Sequence, residues 1–363
     1  MSTESTLRKE GVQVVKALDT LNVNLIAQKI ANKLCDAFPE HGFSSSDLFA
    51  SISRLNMYLA KMDDSLCGAK YYYKNNSIYF NIDYPLGDVD SFTIHECIHY
   101  LQEQKDTRGN LVRLGLYDFS KNHGMAINEA AVQLMTVAAL NIPAQNVTYY
   151  SLNLPTDSLD CYPLECAIVK QMAYFTGTYP LYHSTIRSND VFKNTFITLS
   201  SKQAYGIIET NLDRILELEN TLAIYFDELK THANNISEAK TLNSIIDKTK
   251  EEIVALFFKC QNTIISHCFS YDLNNVRSAQ DIKNLKNKIY NFQSLIATNP
   301  SYEFYNEFYR RLMEALDEKV EHLEEYNPFE EKSTALTVIN RSKSIVAIFR
   351  RLFIKLGLIK QEE

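Results

Sequence analysis

The spacing of apolar positions changes character near residue 200. Upstream, residues 23–38 and 46–62 place apolar side chains at three- and four-residue steps, which predicts two amphipathic helices. Over residues 68–83 the period shifts. Tyr71, Tyr72 and Tyr73, a Lys74-Asn75-Asn76 turn, then Ile78, Tyr79, Phe80 and Ile82 predict a β-hairpin. Asp88 and Asp90 offer N-caps to a helix expected over residues 91–105, and residues 111–119 read as a short strand or hairpin arm. Helices are expected again over 125–140 and 164–175. Downstream, Ile215, Leu218, Leu222, Tyr225 and Leu229 form a stripe, as do Ile282, Leu285, Ile289, Phe292 and Ile296, with similar stripes in 237–267 and 302–323. Neither glycine nor proline occurs between Gly206 and Pro300, which suits long antiparallel helices. The expected organisation is therefore α+β over 1–200, a helical bundle over 201–331, and a distinct segment over 332–363.

Composition narrows the function classes. With 45% hydrophobic residues the 363-residue chain is expected to fold. Its 37 basic and 44 acidic residues leave a net charge of −7, which argues against a nucleic-acid binder working through a general basic face. No stretch approaches the ~18 apolar residues of a membrane span. Glu4, Arg8, Lys9 and Glu10 interrupt the first twenty residues, so no secretory signal is expected. Seven irregularly spaced cysteines then read as reduced thiols, and the expected location is cytoplasmic. Cys97, Cys260 and Cys268 are expected to be core residues, and Cys161 and Cys166 lack the short spacing of a zinc knuckle. Lys332, Arg341, Lys343, Arg350, Arg351, Lys355 and Lys360 make the last segment basic, with Ile345, Ile348, Phe349, Leu352, Phe353 and Leu356 at helical spacing. Two readings stay open for it: contact with an anionic membrane surface or acidic protein, or docking on the acidic body of its own chain.

The chemistry is concentrated in His95-Glu96-Cys97-Ile98-His99. Four helical residues turn by about 400°, so His95 and His99 project from one face, one turn apart. One tetrahedral metal can take both imidazoles. Glu96 stands beside that face, where it can hold a water and accept its proton. A catalytic zinc needs a third protein ligand. Gln102 and Lys105 occupy the positions at which an extended motif would place Gly and His. Three candidates for the third ligand stay open: Glu129, followed by small residues that let two helices approach; Asp118, in the aromatic strand-like 116–119; and His123, just before the helix of Glu129.

At these residues the chain resembles the gluzincin group of zincin metallopeptidases, which pair His-Glu-x-x-His with a glutamate on a following helix, often in an Asn-Glu-small pattern like Asn128-Glu129-Ala130. The resemblance covers residues 68–140. It implies a zincin-like metallopeptidase domain, with a small twisted sheet above the active-site helix and Zn2+ as cofactor. It implies His95, His99 and Glu129 as ligands and Glu96 as general base. It also implies a peptide or protein substrate, paired by β-augmentation with an edge strand, expected at residues 77–82. Gluzincins commonly add a Tyr or His that donates to the oxyanion; Tyr182 and His183 lie at a suitable distance beyond Glu129. Gln133 stands where many of the group place an acidic residue, and with Asn128 it is expected to give polar support. The alternative is a non-hydrolytic scaffold or sensor whose helical half binds a partner. An intact Glu96 favours the enzyme.

Overall fold

Strand pairing at the start of the chain shows how distant contacts override local pattern. The computed structural model describes residues 3–9, 11–62, 68–82, 90–121, 123–159, 161–231 and 236–324; Asp88 and the basic segment 332–363 lie outside them. After α1 (Thr3–Lys9) and β1 (Val12–Ala17), α2 (Thr20–Ala37) begins at Asp19, whose carboxylate accepts the Asn22 N–H at 2.8 Å. The helix expected over 46–62 is shorter than that. It runs as α3 (Ser45–Ile52), and β2 (Asn56–Met62) takes the rest. Leu48, Ile52, Leu55 and Leu59 are all buried and fall at helical steps. Yet β2 finds backbone partners on both sides, antiparallel to β1 with Val12 opposite Met62, and parallel to β4 (Ser77–Asn81) with Met57 opposite Ile78.

The expected hairpin forms from β3 (Ala69–Tyr72) and β4, with Tyr71 opposite Ile78. The strand order is β1-β2-β4-β3. The strand expected at the edge, 77–82, is thus interior, because β2 covers its far side. The edge strands are β1 and β3.

Helix α4 (Ser91–Leu101) carries the His-Glu-x-x-His motif and is capped by Asp90, which accepts the Thr93 N–H at 2.7 Å. It lays Ile94, Cys97 and Ile98, all fully buried, in the core beneath the sheet, where each isoleucine contributes roughly 1.5–3 kcal/mol. It ends four residues short of the expected Lys105. Gln102 caps it, and β5 (Glu103–Lys105) turns away to pair with β6 (Leu111–Leu114), followed by β7 (Tyr117–Asp118).

Helix α5 (Met125–Ala139) is buried on nearly every side. Val132, Met135 and Ala139 join the core of α2, α3, α4 and the four-stranded sheet. Ala126, Ile127, Ala130, Ala131 and Leu134 enter a second, larger core. Alanines on this helix let its neighbours come close. Gly124 supplies no side-chain cap; Asp213 accepts the Gly124 and Ala126 N–H groups instead, at 2.8 and 2.9 Å.

A hairpin, β8 (Gln145–Tyr149) and β9 (Leu152–Thr156), leads into α6 (Pro163–Thr176), α7 (Thr178–Arg187) and α8 (Val191–Leu199). The long helices follow as α9 (Lys202–Thr231), α10 (Ile236–Asn275), α11 (Ala279–Phe292) and α12 (Phe304–Glu324). The architecture is mixed α/β, dominated by helices. The larger core runs from α5 and α6 to Phe257, Phe292 and Phe308, so side chains from both sides of residue 200 share it. No helix among the described residues is long and apolar enough to cross a membrane.

Candidate metal centre

Two helices supply the centre. α4 presents His95 and His99 from adjacent turns, and α5 brings Glu129 against them. His95 Nε2 lies 3.0 Å from His99 Nε2, and Glu129 Oε2 stands 3.2 Å from the first and 3.3 Å from the second. Among the described residues this is the one group of three metal-binding side chains drawn together, with all ligand atoms within 4.8 Å. Zinc bonded at 2.0–2.2 Å to a tetrahedral N, N, O set separates its ligand atoms by about 3.3 Å. The donor set and its spacing fit that ion.

The electrostatics point the same way. Burial works to lower the pKa of His99, but the Glu129 carboxylate beside it lifts it to about 9. Burial works to raise Glu129, and the two imidazoles hold it well below the usual carboxylate range. A positive charge, proton or metal, belongs between these three groups. Glu96 differs. Enclosure pushes its carboxyl above the ordinary range, against the pull of His95 and His99 and of a hydrogen bond from the Tyr71 N–H at 2.7 Å. A carboxylate of raised pKa is a better proton acceptor near neutral pH.

Of the three candidates for third ligand, Glu129 alone reaches the histidines. Asp118 is engaged by Lys121 at 2.7 Å and by Ser120. His123 is exposed, with its Nδ1 3.9 Å from Asp213. Tyr182 and His183 make their ring contacts with other residues. Tyr182 packs edge-on against Phe38 at 5.0 Å, and His183 stacks near Tyr179 and His41 at 5.4 and 6.2 Å. An aromatic ring that does meet a candidate ligand is Tyr162, 6.0 Å from the His95 ring and inclined by 26°. Its position just ahead of Pro163 marks a helix start in the sequence, but nothing local ties it to His95.

The outward nitrogens of both histidines meet amides. His95 Nδ1 is 3.0 Å from Gln133 Oε1, and His99 Nδ1 is 3.1 Å from Gln102 Oε1. Sequence reasoning anticipated Gln133, one turn beyond Glu129. Gln102 is not among the expected supports, although its place three residues after His99 puts it on the same helix face. Cys97, Cys166, Cys260 and Cys268 are buried core residues, and the described cysteines are free thiols. Set against known protein families, curated proteins and solved structures, the chain matches none.

Proposed function

We propose that this chain is a zinc-dependent peptidase of gluzincin type, with a zincin-like arrangement of sheet β1-β2-β4-β3 over helix α4. The observation that carries the reading is the convergence of His95, His99 and Glu129 at 3.0–3.3 Å, with Glu96 adjacent on α4. His95 and His99, whose Nε2 atoms face each other, would hold the metal together with Glu129. Zinc, when bound, polarises a scissile carbonyl and lowers the pKa of water toward about 7. Glu96 takes the proton from the attacking water and returns it to the leaving amine. The edge strand β3 lies beside α4, and its side away from β4 is where an extended peptide would align.

A peptide library read by mass spectrometry, with chelator-treated protein as control, tests the activity. Cleavage should depend on metal and should fall about a hundredfold or more in Glu96→Gln. Cleavage that persists undiminished in that variant would sink the mechanism.

A further inference from the structure

Histidine can carry its proton on either nitrogen, and only one choice leaves Nε2 free for a metal. Here the choice can be traced back to groups that have no freedom. The Leu116 backbone N–H can only donate, and it meets Asn128 Oδ1 at 3.0 Å. The same oxygen lies 3.2 Å from Gln102 Nε2, so Gln102 turns its NH2 inward and its Oε1 toward His99 Nδ1. That oxygen can only accept. His99 Nδ1 therefore carries hydrogen, and Nε2, which faces Glu129 and His95, is the nitrogen left for a metal once its own proton is displaced.

The second chain starts from a carbonyl. Cys161 O can only accept, and it takes the hydroxyl hydrogen of Ser158. Ser158 Oγ is left with lone pairs for Gln133 Nε2, 3.0 Å away. Gln133 Oε1 then faces His95 Nδ1, which must be the protonated nitrogen. The two anchors are independent, on different loops, and they give the same answer for both rings.

We propose that Gln102 and Gln133 are the positioning residues of this centre, each holding one imidazole as its Nδ1–H tautomer through an amide relay anchored on backbone. The inference rests on the zinc reading given above. Gln102, Gln133 and Asn128 are all buried. The relay through Gln102 also ties the two ligand-bearing helices together, because Asn128 is next to Glu129. Gly115 makes room for it: a Cβ there would stand 2.3 Å from both Asn128 Oδ1 and Gln102 Nε2. Ser188 closes the same corner, accepting the Gly115 N–H at 2.7 Å and donating to the Gln102 carbonyl.

The relays differ in one testable way. At 133 a carboxylate can replace the amide, since Ser158 can rotate its hydroxyl to donate to it while the His95 Nδ1–H keeps its acceptor. At 102 it cannot, because a carboxylate oxygen would face Asn128 Oδ1, which the Leu116 N–H holds in place. Zinc affinity of the full chain, measured by competition with a chromophoric chelator, reads this directly. Gln133→Met and Gln102→Met should each weaken zinc about 10- to 100-fold, the usual effect of removing a ligand's outer partner. Gln133→Glu should restore binding, and Gln102→Glu should not. In nitrogen-15 NMR of the histidines, His95 of the wild type should show Nδ1 protonated, and Gln133→Met should lose that preference.

Far-UV circular dichroism checks folding. If a substitution at 102 does not fold, the pair at 133 decides. Equal zinc affinity in Gln133→Met, Gln133→Glu and wild type overturns the proposal, as does equal weakening of both variants. The pattern described without peptide cleavage supports the positioning role and overturns the peptidase reading alone.

Discussion

The Tyr71 N–H donates to Glu96 Oε2 at 2.7 Å, joining the edge strand β3 to the helix that carries the candidate ligands His95 and His99. The Tyr71 phenol adds a second tie, donating to Glu103 Oε1 at 2.6 Å. One residue thus ties β3 both to α4 and to β5, and Glu96, the proposed general base, is held by backbone. Glu96→Gln keeps an acceptor for that N–H, whereas Glu96→Ala leaves it without one. Chemical denaturation should find Glu96→Gln close to wild type and Glu96→Ala less stable by about 1–3 kcal/mol. Equal stabilities would mean that the hydrogen bond contributes nothing to the fold.

Metal content separates the third-ligand candidates. Purified wild type should carry about one zinc per chain. His95→Ala, His99→Ala and Glu129→Ala should lose most of it, and Asp118→Ala and His123→Ala should keep it, because Lys121 and Asp213 respectively are their neighbours. Elemental analysis after extensive dialysis gives the answer; full retention in Glu129→Ala would remove that residue from the ligand set.

A buried acid pair away from the histidines should make stability depend on pH. Glu165, in the first turn of α6, is fully buried, and burial together with the nearby Glu219 pushes its carboxyl well above the ordinary range. Burial also lifts Glu219, to about 7. Both values are raised on folding. Their contribution is therefore complete below the unfolded value of about 4.5 and is lost as pH rises through about 7. Thermal melts should show the midpoint falling between about pH 5 and pH 8 as stability drops by up to about 1.4 kcal/mol per pH unit for each proton lost. Glu165→Gln should flatten that slope. Parallel curves for the two proteins would show that the pair does not titrate in this range.

Two glycines in left-handed backbone form a matched comparison. Gly109 has φ +83° and open space where a Cβ would go, whereas Gly115 has φ +55° and two polar atoms at 2.3 Å. Gly109→Ala should cost only the conformational penalty, about 1–2 kcal/mol. Gly115→Ala should cost roughly 1–3 kcal/mol more from crowding and should also weaken zinc. Thermal unfolding and the chelator competition measure both; identical costs would show that the corner can relax.

The metal centre was legible because its main signal is local. A helix repeats every 3.6 residues whatever surrounds it, so His95 and His99 had to share a face, and the small residues after Glu129 announced a close helix contact. Strand β2 was not legible, because Leu48, Ile52, Leu55 and Leu59 satisfy a helical period, and only pairing with β1 and β4 decides against it. The β8–β9 hairpin lacks a local signal for a different reason. Its two turn residues, Tyr150 and Ser151, both have positive φ, at 48° and 67°, a conformation that Asn-Gly normally signals. The amide relays close through residues 12 to 38 positions apart, from Asn128 to Leu116 and from His95 to Gln133, and no spacing rule reaches that far.

The capping of α5 by Asp213 sets an order of events during synthesis. Gly124 and its acceptor are 89 residues apart. At about 5–20 residues per second, the ribosome adds Asp213 roughly 4–18 s after Gly124. Until then the first turn of the helix bearing Glu129 lacks the side-chain acceptor for its leading amides, and the larger core on its far side is unfilled. The nascent chain therefore holds both histidines well before it can hold the glutamate firmly against them, and the centre matures only as the helical half emerges.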